Sequence, residues 1–124
     1  MQQSLTQLPV SLDVPGAKIT SVAFGDMTAA YTRLSKGTDL APLLEGLDHD
    51  HCQCPHWGYV LKGKIRMRYQ DGSEEVTEGG NLYYWPAGHT GVVEEDIEFI
   101  EFSPKKEMDK VLAHVKGKLQ GAAH

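Results

Sequence analysis

Hydrophobic and polar residues alternate along short segments of the chain, and turn-forming residues separate the segments. The clearest case is 64–69, where Ile65, Met67 and Tyr69 fall on one face and basic residues fall on the other. Alternation with a period of two places successive side chains on opposite faces of a strand, so this segment predicts a half-buried β-strand. Similar patterns predict strands over 18–24, 27–34, 57–61, 74–77, 82–85, 92–93 and 97–102. Short strands at this spacing are typical of an all-β sandwich or barrel.

Turn signals divide the predicted strands. Asp71-Gly72 is a strong hairpin signal, and Gly63 marks a turn between two apolar segments. Residues 1–16 show no alternation and predict a loose arm. Residues 40–47 are apolar but contain a proline and a glycine, so they predict an irregular segment.

Near the end of the chain, the spacing of apolar residues changes from a period of two to a helical period, which predicts an α-helix. Ser103 is a suitable N-cap, and Pro104 suits the first helical position. Five apolar residues then recur at helical spacing: Met108, Val111, Leu112, Val115 and Leu119. One apolar stripe of this kind packs against another surface. We expect the helix to pack on the outside of a barrel or on a second subunit.

Composition narrows the class of protein. A chain of 124 residues is one domain, and its formal net charge of −5 makes nucleic acid an unfavourable partner. The sequence contains no apolar run of the roughly 20 residues that span a bilayer, and its first residues do not resemble a secretory signal. Cys52 and Cys54 are too close in sequence for an unstrained disulfide, so we expect free thiols and a cytoplasmic protein.

Histidines supply the candidate chemistry. His49, His51 and His56 fall within eight residues, and His89 follows in a Pro-Ala-Gly-His turn. Neutral imidazole is the commonest metal ligand near pH 7. The four histidines therefore predict a site for a divalent ion, with Zn, Fe, Ni, Mn and Cu as candidates.

The spacing leaves alternative ligand sets open. The first two histidines share strand parity, whereas His56 has the opposite parity, so the three converge only if Pro55 breaks the phase of the strand. Without such a break, Cys52, Cys54 and His56 share one face and, with His89, form a soft site that favours zinc. A third alternative is that no metal binds and the first two histidines face solvent.

The same residues resemble the first conserved motif of the cupin family, G-x5-H-x-H-x(3,4)-E-x6-G. Gly63 fits the closing glycine, and His49-x-His51 fits the histidine pair. His56 stands where the family has glutamate, and Leu43 stands where it has the opening glycine. The departure at His56 exchanges a carboxylate for a fourth imidazole.

The second cupin motif, G-x5-P-x-G-x2-H-x3-N, also has counterparts. Gly80, Pro86 and Gly88 match it in full, and His89 lies two residues before the position of the family histidine. The resemblance covers roughly residues 25–102. It implies an all-β cupin barrel, or jelly roll, with a C-terminal helix, whose ligands converge on one metal ion inside the barrel.

The resemblance divides the single domain into an arm and first strand at 1–24, the barrel at 25–102, and a helix and tail at 103–124. It also implies a small-molecule pocket above the ion and a homodimer. Aromatic residues are candidates for the pocket wall, with core packing as the alternative. The candidates are Tyr31, Trp57, Tyr69 and Trp85.

Two function classes follow. The first is a metal-dependent protein that acts on a small molecule as an oxygenase, isomerase or lyase. The second is a non-catalytic ligand-binding or redox-sensing module in which the two cysteines respond to oxidants. No Asp or Glu occupies a motif position as a general base, so no catalytic residue is predicted. His114 and His124 are expected on the surface or in the tail.

Overall fold

Antiparallel β-strands and one long C-terminal helix form the framework of the computed structural model, which describes residues 1–122. The strands are β1 (Val10–Val14), β2 (Ala17–Phe24), β3 (Met27–Leu34), β4 (His56–Tyr69), β5 (Glu74–Glu78), β6 (Leu82–Trp85) and β7 (His89–Pro104). The α-helices are α1 (Ala41–Leu44) and α2 (Lys105–Ala122), and short 3-10 helices cover Leu5–Gln7 and Asp48–Asp50. The predicted all-β class with a C-terminal helix is confirmed.

Every strand pairing is antiparallel, and the strands run in the order β1-β2-β3-β7-β4-β5. β6 pairs with the first residues of β4, on the same edge as β5 but nearer the start of the strand. β4 and β7 are therefore the two central strands, and both carry residues of the site described below.

β4 is continuous, although the sequence predicts two strands divided by a turn at Gly63. The pairing of β4 with β7 shifts register between Val60 and Ile65, which is a β-bulge rather than a chain reversal. Gly63 has φ +97° and lies in the bulge. The bulge inverts the strand phase, so His56 and Val60 face inward before it and Ile65 faces inward after it. β7 likewise spans the two strands that are predicted over 92–102.

The N-terminal segment is more ordered than the sequence predicts. β1 lies within the expected loose arm 1–16, because its backbone pairs with β2 across the turn at Gly16. The expected irregular segment 40–47 contains α1. At the other end, α2 begins at Lys105, and Pro104 is the last residue of β7 rather than the first of the helix.

Two apolar clusters form the core. The first fills the barrel and consists of Leu34, Val60, Ile65, Met67, Tyr83, Trp85, Val93, Ile97 and Phe99. The second joins α1 and the loop before β4 to the predicted apolar stripe of α2, through residues such as Leu44, Cys54, Met108 and Val115. α2 therefore packs on its own chain. Within residues 1–122, no helix combines the length and the apolar character that a membrane span requires.

The bulge gives a direct test of the fold. A Cβ on Gly63 would lie 2.1 Å from the backbone oxygen of Asp96, so Gly63→Ala must displace two paired backbones. We expect it to lower the free energy of unfolding by about 3–5 kcal/mol. Gly72 has φ +90° with open space around it, so Gly72→Ala isolates the conformational cost of about 1–2 kcal/mol. Denaturant melts with equal losses for both variants would contradict the packing assigned to Gly63.

Candidate functional site

Three buried side chains with metal-ligating atoms meet inside the barrel. Cys52 lies in the loop before β4, His56 is the first residue of β4, and His89 is the first residue of β7. One ligand atom from each lies within 4.8 Å of the other two. The Cys52 Sγ atom is 3.6 Å from Nε2 of His56, and the two imidazole centroids are 4.9 Å apart.

Backbone pairing holds the three residues together. The amide of Cys52 donates to the carbonyl of His89 at 2.8 Å, and the amide of Gly88 donates back to the carbonyl of Cys52 at 2.7 Å. Gly88 has φ +89°, a conformation that glycine adopts at little cost. These hydrogen bonds connect the Pro-Ala-Gly-His turn to the cysteine loop and bring His89 next to Cys52.

Hydrogen bonds on the far side of each imidazole fix its orientation. Nδ1 of His56 lies 2.6 Å from the hydroxyl of Ser103 and 3.4 Å from a carboxyl oxygen of Glu101. Nδ1 of His89 lies 2.7 Å from the carbonyl of Pro86, so it must carry the proton that it donates. Nε2 of His89 then has a free lone pair, as metal coordination requires.

Burial keeps the cluster uncharged. It lowers the pKa of His56 well below its usual value, with a smaller contribution from His89, and it lowers the pKa of His89 as well. Burial also raises the pKa of Cys52 to about 12 and that of Glu101 to about 8. The hydroxyl of Tyr83 donates to Glu101 at 2.8 Å. At neutral pH the site therefore contains neutral imidazoles and a protonated thiol.

A cavity of about 120 Å³ adjoins the cluster. Its wall is mainly apolar and comes from the barrel interior, from α1 and from the buried stripe of α2, which closes this end of the barrel. Cys52, His56, His89 and Glu101 are among its polar residues. This combination of an apolar wall and a few convergent polar groups is characteristic of small-molecule sites.

The structure brings together two of the four predicted histidine ligands. His56 and His89 are in the cluster, whereas His49 and His51 are not. His49 lies in the 3-10 turn before the cysteine loop with φ 55° and is exposed, and His51 is half-buried with its ring bonded to the carbonyl of His49. His51 is still near enough to contribute to the lowered pKa of His89.

The alternative ligand set that contains the two cysteines is also brought together in part. Cys52, Cys54 and His56 are all buried, although the two cysteines lie in the loop before β4 and not in a strand. Cys54 is outside the three-residue cluster, and its side chain packs in the second apolar cluster beneath α2. Burial, followed by the neighbouring Cys52, raises its pKa above the usual range of a thiol.

One of the four predicted pocket aromatics lines the cavity. Trp85 forms part of its wall, but Tyr31, Trp57 and Tyr69 do not. Trp57 points outward because its parity is opposite to that of His56, and its ring stacks on that of Tyr84. The hydroxyls of Tyr31 and Tyr69 donate to glutamates away from the cavity.

Sequence reasoning missed Glu101 and Ser103. Both lie on β7 with the parity of Ile97 and Phe99, whose burial the strand pattern predicts. That shared parity was the available signal that a carboxyl group faces the interior. Ser103 was expected to cap the helix, but its hydroxyl instead contacts His56. His114 is half-buried and bonds the carbonyl of Glu45, and His124 lies outside the described residues.

Comparison with known proteins rests on structure. No family model and no curated protein matches the sequence. An RmlC-like cupin from Shewanella frigidimarina NCIMB 400 is similar with a TM-score of 0.56 and 20% identity, over 80% of this chain and 86% of that one. Ectoine synthase from P. lautus has a TM-score of 0.63 and 9% identity, over 84% and 77%.

A third similar structure is that of Fe(II) HppE, with a TM-score of 0.60 and 10% identity. The match covers 83% of this chain and 59% of HppE. At these identities the likeness establishes the architecture, and it agrees with the strand order and C-terminal helix described above. This chain therefore has the cupin fold of the small cupins that it resembles.

Proposed function

We propose that the protein binds one divalent metal ion through Cys52, His56 and His89 and a small molecule in the adjoining cavity. The observation that carries this proposal is the convergence of three buried donor atoms within 4.8 Å of one another. Buried groups of this kind are hydrogen-bonded, paired or coordinated in native proteins. Here the Cys52 thiol lies within hydrogen-bonding distance of Nε2 of His56, and all three residues line the cavity.

The geometry suits a metal ion. Typical distances of about 2.3 Å for Zn–S and about 2.0 Å for Zn–N, at a tetrahedral angle, separate sulfur and nitrogen by roughly 3.5 Å. The separation of Cys52 Sγ and His56 Nε2 is 3.6 Å. A hydrogen bond from a thiol to an imidazole has a similar length, so this distance fits both a hydrogen bond and coordination of a shared ion.

The donor set favours a soft or borderline ion. One thiolate and two imidazoles suit zinc best, and also iron, nickel or copper, whereas manganese prefers oxygen ligands. Three protein ligands leave a position for substrate, as in catalytic zinc sites. One structure of similar fold, HppE, is described as an Fe(II) form. A bound ion would supply a Lewis acid for isomerase or lyase chemistry, or a site for oxygen activation in an oxygenase.

The chain's own residues determine what binds beside the ion. The cavity of about 120 Å³ has leucine, methionine and aromatic walls. An apolar cavity of roughly 150 Å³ accepts a molecule of the size of benzene, so the site fits a compact ligand with a mainly apolar body. Glu101 and the metal position supply its polar anchors. Apolar side chains of α2 form the wall of the cavity at this end of the barrel.

A ligand-binding role without catalysis is the second candidate, and the mainly apolar wall of the cavity favours it. The redox-sensing version receives less support. Reactive cysteines are exposed enough to meet an oxidant and have a lowered pKa. Cys52 and Cys54 are both buried, and burial raises the pKa of each.

Metal content tests the main proposal. Protein purified without chelator is expected to contain about one metal ion per chain, because three buried ligands bind an ion tightly. Elemental analysis by plasma mass spectrometry measures this content. Cys52→Ser and His56→Ala should remove most of that metal. Cys54→Ser is the matched control, since its thiol lies outside the cluster, and it should retain the metal. A metal-free wild type that also takes up no added zinc or iron would refute the site.

The same measurement decides between the ligand sets. If Cys52 is the third ligand, His49→Ala and His51→Ala will keep a stoichiometric ion. If the set predicted from sequence is correct, both histidine variants will lose it and Cys52→Ser will not. His56→Ala and His89→Ala lose metal under either arrangement, so they report only that a site exists.

Glu101 and Ser103 are expected to orient His56. Removing such a partner typically costs 10–100-fold in metal affinity, so Ser103→Ala should weaken zinc binding by about that factor in a competition titration with a chelator. Glu101→Gln keeps the shape and a hydrogen bond to Tyr83 but removes the carboxyl oxygen beside Nδ1. An unchanged affinity in both variants would show that neither residue positions the ligand.

Thiol reactivity tests the redox alternative. At pH 9, we expect iodoacetamide to alkylate the thiols of the folded, metal-free protein at least about 100-fold more slowly than it alkylates the same thiols in the denatured protein. The folded pKa of Cys52 is raised above its usual value of 9.0 to about 12, so the thiolate is scarce until pH approaches the folded pKa. Equal rates in the native and unfolded proteins would support a reactive cysteine pair.

A further inference from the structure

Polar groups occupy one part of the cavity wall. They lie on the adjacent strands β3, β7 and β4 and in the cysteine loop, and they belong to Thr32, Cys52, His56, His89 and Glu101. The indole N–H of Trp85 donates to the hydroxyl of Thr77 at 3.2 Å, so the polar atom of this wall residue is already engaged. The polar part of the wall is therefore confined to the candidate ligands and the strands beside them.

The wall residues outside the barrel core are aliphatic and incompletely buried. β1, β2, α1 and α2 contribute only leucine, isoleucine, valine and methionine side chains. Wall residues of the barrel core are almost fully enclosed, with Met67 1% and Phe99 5% exposed. We call the half-buried aliphatic residues of the wall the aliphatic compartment, and they are Leu12, Ile19, Leu40, Leu43, Val111 and Leu112. Their remaining apolar surface is favourable for a ligand to cover.

We propose that the cavity binds a short aliphatic monocarboxylate, with its carboxylate at the metal position and its tail in the aliphatic compartment. This inference rests on the proposed metal site and adds the class and the orientation of the ligand. A divalent ion with one thiolate and two neutral imidazoles has a net charge of about +1, and an anionic head neutralises that charge in apolar surroundings.

Glu101 does not take the place of that head. Its carboxyl group accepts a hydrogen bond from Tyr83 and lies 3.4 Å from Nδ1 of His56, whereas Cys52 Sγ lies by Nε2 of the same ring. The carboxyl group is therefore on the opposite side of the imidazole from the metal position. A second polar group on the ligand would lie among aliphatic side chains without a hydrogen-bond partner, so the ligand has one head.

The volume of the cavity limits the length of the tail. The cavity measures about 120 Å³, and an apolar cavity of roughly 150 Å³ accepts benzene. A carboxylate of about four to six carbons is therefore the size that fits. Each additional buried methylene tightens binding by about fourfold, so we expect affinity to rise with chain length until the compartment is full.

Isothermal titration calorimetry of the zinc-loaded full chain tests the inference, with zinc content measured separately on the same sample. The probes are the straight-chain carboxylates from propionate to octanoate. Dissociation constants should fall by about fourfold per methylene as far as hexanoate and then stop falling. Adipate is the matched ligand control, because it has the length of hexanoate and a second carboxylate. We expect it to bind at least about 100-fold more weakly than hexanoate.

Two leucines of α2 supply matched variants. Leu112 lines the cavity, whereas Leu119 packs against the same apolar cluster and does not line the cavity. The structure relaxes only partly around a deleted side chain, so Leu112→Ala should lengthen the best-bound carboxylate by about two carbons. Leu119→Ala should leave the best length unchanged. Val111→Ala, which also enlarges the cavity, decides the question if circular dichroism shows that Leu112→Ala does not fold.

The outcomes separate this inference from the metal site. Protein with one zinc per chain that binds hexanoate no more tightly than propionate would overturn the inference and leave the metal site standing. Equal binding of adipate and hexanoate, or equal shifts in the Leu112 and Leu119 variants, would also overturn it. A chain that takes up no zinc would refute the proposed metal site, and the assigned position of the carboxylate would fall with it.

Discussion

The structure depends on the β-bulge in the middle of β4. Before the bulge, alternate residues turn His56 and Val60 inward, and after it the inward positions are Ile65 and Met67. One strand therefore carries the candidate ligand His56 to the site and a second set of side chains to the core. The close approach of Gly63 to Asp96 and Ile97 of β7 leaves no room for a Cβ. Without the bulge, a strand in constant phase would expose either His56 or the pair Ile65 and Met67.

Burial of the candidate ligands explains why the site is neutral. Cys52, His56, His89 and Glu101 are all enclosed by apolar side chains, and an unpaired charge among them would be costly. The chain meets this condition by local hydrogen bonds: Pro86 fixes His89, and Ser103 and Glu101 contact His56. These contacts leave the other imidazole nitrogens free as acceptors. Binding of a divalent ion would release the proton of the Cys52 thiol. The site would lose one positive charge with that proton and gain two with the ion, so its net charge would rise by one.

The sequence predicts much of the fold because strand alternation and turn residues are local signals. β3 and β6 have the predicted bounds, and α2 has the predicted apolar stripe. The site was harder to predict, because it depends on phase across irregular segments. The motif led to His49 and His51, whereas the left-handed backbone at His49 and the pairing of Cys52 with His89 bring Cys52 into the cluster. Gly63 indicates that the strand is interrupted, but a glycine by itself does not distinguish a chain reversal from a β-bulge.

Strand parity also separates the aromatic residues into a buried set and an exposed set. Trp85 and Tyr83 face inward on β6, where they stack on each other and adjoin Phe99. Tyr84, between them in sequence, faces outward and stacks on Trp57. A strand of four residues thus contributes to both the interior of the barrel and the outer surface of the sheet. Because each surface uses alternate residues of the same strand, a one-residue slip of β6 against β4 would exchange the two sets and expose the core.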